Sequence, residues 1–207
     1  MATELELKFT TEGSVLPEPE DLTSELQARG LSVLERRVDH IKDRYFDDAR
    51  ASLSRAGLAV RRRMHAGRML ATLKTRGVVT DARHMREEIE LPLPERGWPA
   101  EIAERLSMVT DPDGLKPYTV LDSVRTVWMI ADASGQAVAE LSFDLVTASF
   151  QSGTRKVEFT EIEVEAQDDS GSALPLVEEA LAGLVKLAPS PFTKLERAQA
   201  LLMGAGM

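Results

Sequence analysis

The sequence predicts an α+β fold built on an eight-stranded antiparallel β-barrel with flanking and closing helices, and three observations predict it. About eight segments alternate apolar and polar side chains with period two, and only a few segments between them carry helical periodicity. Several of these strands stack their charges on a single face, the face a closed sheet can enclose. The size also fits, because 207 residues is an ordinary length for one barrel domain. With 43% hydrophobic and 29% charged residues the balance is that of a globular protein, which excludes disorder and fibrous repeats.

Residues 3–9 alternate strictly and read as a strand. Residues 17–29, with acids early and Gly30 at the end, read as a helix. Residues 31–46 are strand-like and precede a turn at Asp47-Asp48. Residues 57–65 and 68–75 are two β runs joined at Ala66-Gly67, a hairpin by spacing and turn chemistry. Another strand covers 83–91 and is ended by Pro92 and Pro94. Ile102, Leu106 and Val109 give 98–109 a helical period. Residues 120–131 and 136–150 form a second hairpin, and 155–166 is the last strand. Two helices close the chain, 173–187 and then 190–203, with Ser190 as N-cap and Pro191 at the first position.

Composition removes several classes of function. The chain has no cysteine, which excludes disulfide scaffolds, thiol catalysis and cysteine-ligated metals and fits a reducing cytoplasm. Charges within the first eight residues leave no secretory signal, and no run approaches the ~18 apolar residues of a membrane span. The 34 acids against 25 bases give a net charge of −9, which argues against a general polyanion-binding surface; no nucleic-acid partner is expected, and a polyanion would have to bind in a local pocket. Glycine-rich phosphate loops are absent. His40, His65 and His84 are widely spaced and read as structural or surface residues; Trp98 and Trp128 read as packing.

The charged strand faces carry the functional signal. Glu4, Glu6 and Lys8 share a face opposite Leu5, Leu7 and Phe9. Arg61 and Arg63 share one, as do Thr72 and Lys74, and Arg86, Glu88 and Glu90. Glu140, Ser142 and Asp144 line up, and so do Glu161, Glu163 and Glu165. A solvated face usually mixes its polar residues. Like carboxylates about 7 Å apart repel one another unless cations sit among them. Stacked acids beside stacked bases are what a barrel needs to hold divalent cations next to a polyphosphate. Carboxylate oxygens suit Mg²⁺ or Mn²⁺, and Arg and Lys suit phosphate oxygens.

These residues resemble the motifs of the CYTH, or triphosphate tunnel metalloenzyme, family. Glu4-Leu5-Glu6-Leu7-Lys8 resembles its Glu-x-Glu-x-Lys signature, and Tyr45-Phe46-Asp47-Asp48 its aspartate turn after the second strand. Residues 57–63 resemble its Gly-Leu-x-Leu-Arg-Ile-Arg strand, residues 72–74 its Thr-x-Lys strand and residues 86–90 its Arg-x-Glu-x-Glu strand. Arg125 matches its lone arginine strand, Glu140 to Asp144 its Glu-x-x-x-Asp strand, and residues 161–165 its Glu-Ile-Glu-x-Glu strand. Residues 193–197 resemble its closing Ser-Lys-x-x-Arg helix. Together the motifs run in family order over about 3–203. Arg62 departs from a usual apolar residue, Thr193 from a serine, and no glycine directly follows Arg197.

The resemblance implies a tunnel that binds a triphosphate with one or two Mg²⁺ or Mn²⁺ ions. Glu4, Glu6, Glu161 and Glu163 would ligate metal. Lys8, Arg61, Arg63, Lys74, Arg86, Arg125, Lys194 and Arg197 would contact phosphate, and Glu88, Glu90, Glu140, Asp144 and Glu165 would hold these bases or a second metal. Glu4, Glu6, Lys8, Arg63 and Glu163 would carry catalysis. The branch most resembled is that of bacterial inorganic triphosphatases, which often carry a helical CHAD domain after the tunnel. No such domain lies within these 207 residues, so one tunnel domain over 1–207 is expected, either as a stand-alone protein or as part of a longer one, and as a monomer or homodimer. A class IV adenylyl cyclase, a thiamine triphosphatase or a non-catalytic polyphosphate- or nucleotide-binding module would share the same charged motifs.

Overall fold

A computed structural model describes residues 2–11, 16–168 and 170–204. In chain order these form β1 (Ala2–Thr11), α1 (Pro19–Ala28), β2 (Ser32–Asp47), α2 (Ser52–Arg55), β3 (Leu58–His65), β4 (Arg68–Thr75), β5 (Val78–Thr80), β6 (Arg83–Pro92), α3 (Ala100–Ser107), β7 (Lys116–Ala131), β8 (Ala137–Phe150), β9 (Lys156–Ala166), α4 (Leu174–Ala182), β10 (Leu187–Pro189) and α5 (Lys194–Met203). Strands pair in the order β1-β9-β8-β7-β2-β3-β4-β6, and β6 returns to pair with β1. That closes an eight-stranded antiparallel barrel. The two short strands attach outside the ring, β10 to β1 and β5 to β6.

Side-chain alternation decides what each face of the wall meets. The outward apolar residues of β1, β8 and β9, among them Leu7, Phe9, Leu141, Ile162 and Val164, pack under α1 and α4 through Leu22, Leu26, Val177 and Leu181. On the other side α3 covers Val60, Leu73 and Ile89 with Ile102 and Leu106. The inward faces are apolar only near one end, where Leu195, Ala198 and Leu202 of α5 meet Tyr45, Leu121, Val146 and Phe159. Elsewhere the interior is charged. Among the described residues, no helix is long and apolar enough to cross a membrane.

Most sequence-predicted elements stand within a few residues of their expected limits. The Ala66-Gly67 hairpin has both turn residues at positive φ, 48° and 73°, as a type I′ turn requires. Asp47 closes β2 rather than opening a turn, because its carboxylate accepts from the amides of Asp48, Leu53 and Ser54 and organises the one-turn α2. The 98–109 helix begins only after Pro99, at Ala100. The expected 173–187 helix ends at Ala182, and residues 187–189 pair with β1 instead.

The closing helix also starts later than expected. Ser190 extends the β1 pairing, its amide donating to the Lys8 carbonyl, so it is no cap. The cap is Thr193: its hydroxyl accepts from the Glu196 amide, and the Glu196 carboxylate accepts from the Thr193 amide. Threonine thus does the capping work of the family's serine. We expect Thr193→Ala to lower stability by about 1 kcal/mol in urea denaturation, the usual cost of a lost cap. Arg62 is explained by its outward face, where its guanidinium lies 5.0 Å from the Phe46 ring and 4.6 Å from the Trp98 ring and donates to the Gly97 carbonyl.

A charged tunnel as the candidate active site

A cavity of about 1060 Å³ runs through the barrel interior. The sequence-predicted residues Glu4, Glu6, Lys8, Arg61, Arg63, Lys74, Arg86, Glu88, Glu90, Arg125, Glu140, Glu163, Glu165 and Lys194 all line it. They come from seven strands and α5, and the period-two alternation turns those on the strands inward. Three predicted residues stand behind this lining. Asp144 is 2% exposed and Glu161 1%. Arg197 stacks on Phe159 at 4.7 Å and donates to the Thr160 carbonyl at 2.6 Å, which turns it onto β9 rather than into the cavity.

Acids and bases are interleaved across the lumen. Glu4 accepts from Lys74 Nζ at 3.0 Å and from Arg86 Nε at 2.7 Å, and Arg86 Nη2 reaches Glu6 at 2.7 Å. Glu6 and Glu163 both hold Lys8, which is 1% exposed. Asp144 takes a two-pronged bond from Arg125 and a 2.6 Å bond from Lys194, and Glu163 also receives Arg125. Lys74 reaches Glu88 at 2.6 Å. Burial alone would lower Lys8, but the charges of Glu163, Glu6 and Glu161 outweigh it and hold the ammonium well above its ordinary range.

Some residues in and behind the tunnel lining escaped the sequence reading. Asp43 is the largest omission: it receives Arg63 through two bonds of 2.8 Å and Arg61 at 3.3 Å, which resolves the repulsion between those arginines. Burial opposes its charge, yet Arg61 and Arg63 hold its carboxyl well below the usual range. Arg37 bridges Asp39 and Glu140 at 3.0 Å each. His65 lies 3.3 Å from Asp39, so it is a lumen residue rather than a purely surface one. His84 is buried against the Ser190 carbonyl at 2.8 Å, and burial lowers its pKa. The structural reading of His84 fits that contact.

Among the described residues, no three carboxylate or imidazole groups converge tightly enough to hold an ion as they stand. The donor chemistry nevertheless fits a hard divalent cation. Glu161 presents both carboxylate oxygens buried and without a hydrogen bond among the described residues, with Lys8, Lys194 and Arg197 each 3.8 Å away. Burial, with Glu163 alongside, pushes its carboxyl up to about 7 against the pull of Lys8 and Lys194. Glu165 is likewise raised to about 7, by burial and by the charges of Glu4 and Glu6. Among the described residues Glu165 has no ion pair and Glu161 has its bases only at 3.8 Å, whereas Glu4, Glu6 and Glu163 are each held more closely by bases.

The site is therefore a closed antiparallel barrel whose lumen is filled with opposed acids and bases. The CYTH domain model matches residues 2–198, and the chain belongs to the CYTH domain family. HpAC1 from Hippeastrum, an adenylyl cyclase candidate described as having a dominant triphosphatase activity, is similar over 95% of each chain, at 18% identity and a TM-score of 0.59. An adenylate cyclase candidate from Bacillus halodurans is 18% identical, covering 95% of this chain and 98% of its own, with a TM-score of 0.53. PH1819 from Pyrococcus horikoshii is 16% identical over 95% and 99%, with a TM-score of 0.51. At these identities the likeness shows the fold. No curated protein matches this sequence.

Proposed function

We propose that this protein hydrolyses inorganic triphosphate to pyrophosphate and orthophosphate with a divalent cation, Mg²⁺ or Mn²⁺. The observation that carries this reading is the row of bases along one lumen: Lys8, Arg61, Arg63, Lys74, Arg86, Arg125 and Lys194. Seven cations exceed what one phosphate can use and suit a linear chain of about three. The interleaved carboxylates support catalysis over mere binding, since holding a polyanion needs only the bases.

Phosphoryl transfer asks little covalent chemistry of a protein, and positioning with charge neutralisation does most of it. The arginines and lysines hold the phosphates in line and neutralise charge on the non-bridging oxygens. An arriving phosphate chain draws Lys8, Lys74 and Arg86 away from Glu6, Glu4 and Glu163, which frees those carboxylates together with Glu161 as ligands. Glu4, Glu6, Glu161 and Glu163 would hold a divalent ion, which when bound would supply Lewis-acid polarisation of the phosphoryl oxygens. Water attacks the terminal phosphorus, the bridging P–O bond breaks, pyrophosphate leaves, and a tunnel carboxylate takes the proton.

Pyrophosphate spans too little of the row to recruit the remote binding energy that orients the reacting phosphorus. Tripolyphosphate should therefore give one orthophosphate and one accumulating pyrophosphate per turnover, followed by ³¹P NMR. Rapid conversion to orthophosphate alone would contradict the reading, as would cyclic AMP from ATP or thiamine diphosphate from thiamine triphosphate as the dominant product. Tight binding with no turnover in saturating Mg²⁺ or Mn²⁺ would leave a binding module.

A further inference from the structure

The lysines and arginines that line the cavity are bound to carboxylates, with one exception. Lys8, Arg37, Arg61, Arg63, Lys74, Arg86, Arg125 and Lys194 each lie within 4.0 Å of an acid. Arg76 also lines the cavity, and among the described residues no hydrogen bond or ion pair engages it. It follows Lys74 by two residues and stands one residue past the end of β4. There it stands exposed at the mouth, on the side where the N-terminus of α5 contributes Thr193 and Lys194 to the lining.

Its seat is built by two glycines. Gly57 faces the Arg76 side chain, and a Cβ at Gly57 would fall 2.9 Å from Arg76 Cβ and 3.4 Å from its Nε. Gly57 also has a φ of +73°, which favours glycine there on its own account. Gly77, the next residue, runs so close to β6 that a Cβ would meet the Met85 carbonyl oxygen at 2.2 Å. The connection from β4 to β5 is therefore pressed against the barrel wall on both sides of Arg76. An arginine held in this way, with no acid engaging its charge, is an anion-binding group.

We infer that Arg76 is a further substrate-binding residue, one that holds the end of the phosphate chain projecting toward this mouth. The inference rests on the triphosphatase reading above. An unengaged guanidinium loses no existing partner when phosphate arrives, and its fork matches two phosphate oxygens. It grips the remote end of the chain in ground state and transition state alike, so its loss should appear in KM more than in kcat.

The test compares Arg76→Gln, Arg76→Lys and wild type with tripolyphosphate and Mg²⁺. Arg76→Gln should raise KM and the calorimetric Kd about tenfold, the effect of one charged hydrogen-bonding group, with kcat within twofold. Its melting temperature should match wild type, because no native ion pair is lost. Arg76→Lys should recover most of the affinity. Arg44→Gln, which removes one exposed charge from the outer wall, should leave KM unchanged. A KM for Arg76→Gln within twofold of wild type overturns the assignment, and so does an equal rise in Arg44→Gln. Wild type that neither binds nor cleaves tripolyphosphate overturns the triphosphatase reading and the Arg76 assignment together.

Discussion

Glu6→Ala is expected to abolish turnover of tripolyphosphate, with kcat/KM falling at least about a thousandfold, some 4 kcal/mol of transition-state stabilisation. Glu6 is 2% exposed and accepts from Arg86 at 2.7 Å, with Lys8 Nζ 3.0 Å away. Removing one partner of a buried pair usually costs about 3–5 kcal/mol, because a bare charge is left behind. Here each base keeps another acid: Lys8 retains Glu163, and Arg86 retains Glu4. The variant should therefore still melt cooperatively, and the loss should fall on chemistry. Mn²⁺ affinity, read by calorimetry or by the spin signal of free Mn²⁺, should drop in parallel. Glu6→Gln preserves the volume and should lose activity to the same degree, since the charge is what the ion requires. Full activity with native Mn²⁺ affinity in either variant would sink the assignment of Glu6 to the metal.

The barrel and most of its lining were legible because both are written in period two. Glu4-Glu6-Lys8 and Glu161-Glu163-Glu165 announce an enclosed polar face by stacking charge where solvent would be expected to dilute it. Asp43 was not legible in this way. On its face of β2 it stands between Ile41 and Tyr45, set apart from Arg37 and Asp39 on the same face, so it belongs to no charged run. A signal was present across the hairpin, since Arg61 and Arg63 demand an acid opposite, and the β2–β3 register sets Asp43 against Arg63. The start of α5 was misread for a related reason. Thr193 and Glu196 spell the capping box, but Ser190-Pro191 imitates a helix start, and only pairing with β1, more than 170 residues away, makes 187–189 a strand. Local patterns reported local structure well. Residues whose role depends on a distant partner needed the register.

Asp43→Asn is expected to cost about 3–5 kcal/mol of stability at neutral pH, the range for breaking a buried ion pair. Asp43 is 3% exposed, and among the described residues Arg61 would keep as acids Glu88 and Glu90, at 4.0 and 3.9 Å, beside the Tyr45 hydroxyl at 3.4 Å. Asparagine keeps the shape and one acceptor, so the loss reports charge. The pH dependence has a definite sign. Arg61 and Arg63 hold the folded-state carboxyl well below its unfolded value of about 3.9, so the folded protein binds fewer protons there. The contribution of Asp43 is therefore fully present above about pH 5 and is lost as pH falls through the folded value. The gap between wild type and Asp43→Asn in urea denaturation should be flat from about pH 5 to 8 and should narrow steadily as pH falls below about 4. Tripolyphosphate supplies the missing negative charge, and a ligand at a hundredfold its Kd adds about 2.7 kcal/mol to a folded state it alone binds. Because Arg61 and Arg63 both lose their closest acid in the variant, the ligand-induced rise in melting temperature should be larger in Asp43→Asn than in wild type. A gap below about 1 kcal/mol at pH 7, or one that widens in acid, would show that Asp43 does not hold the two arginines.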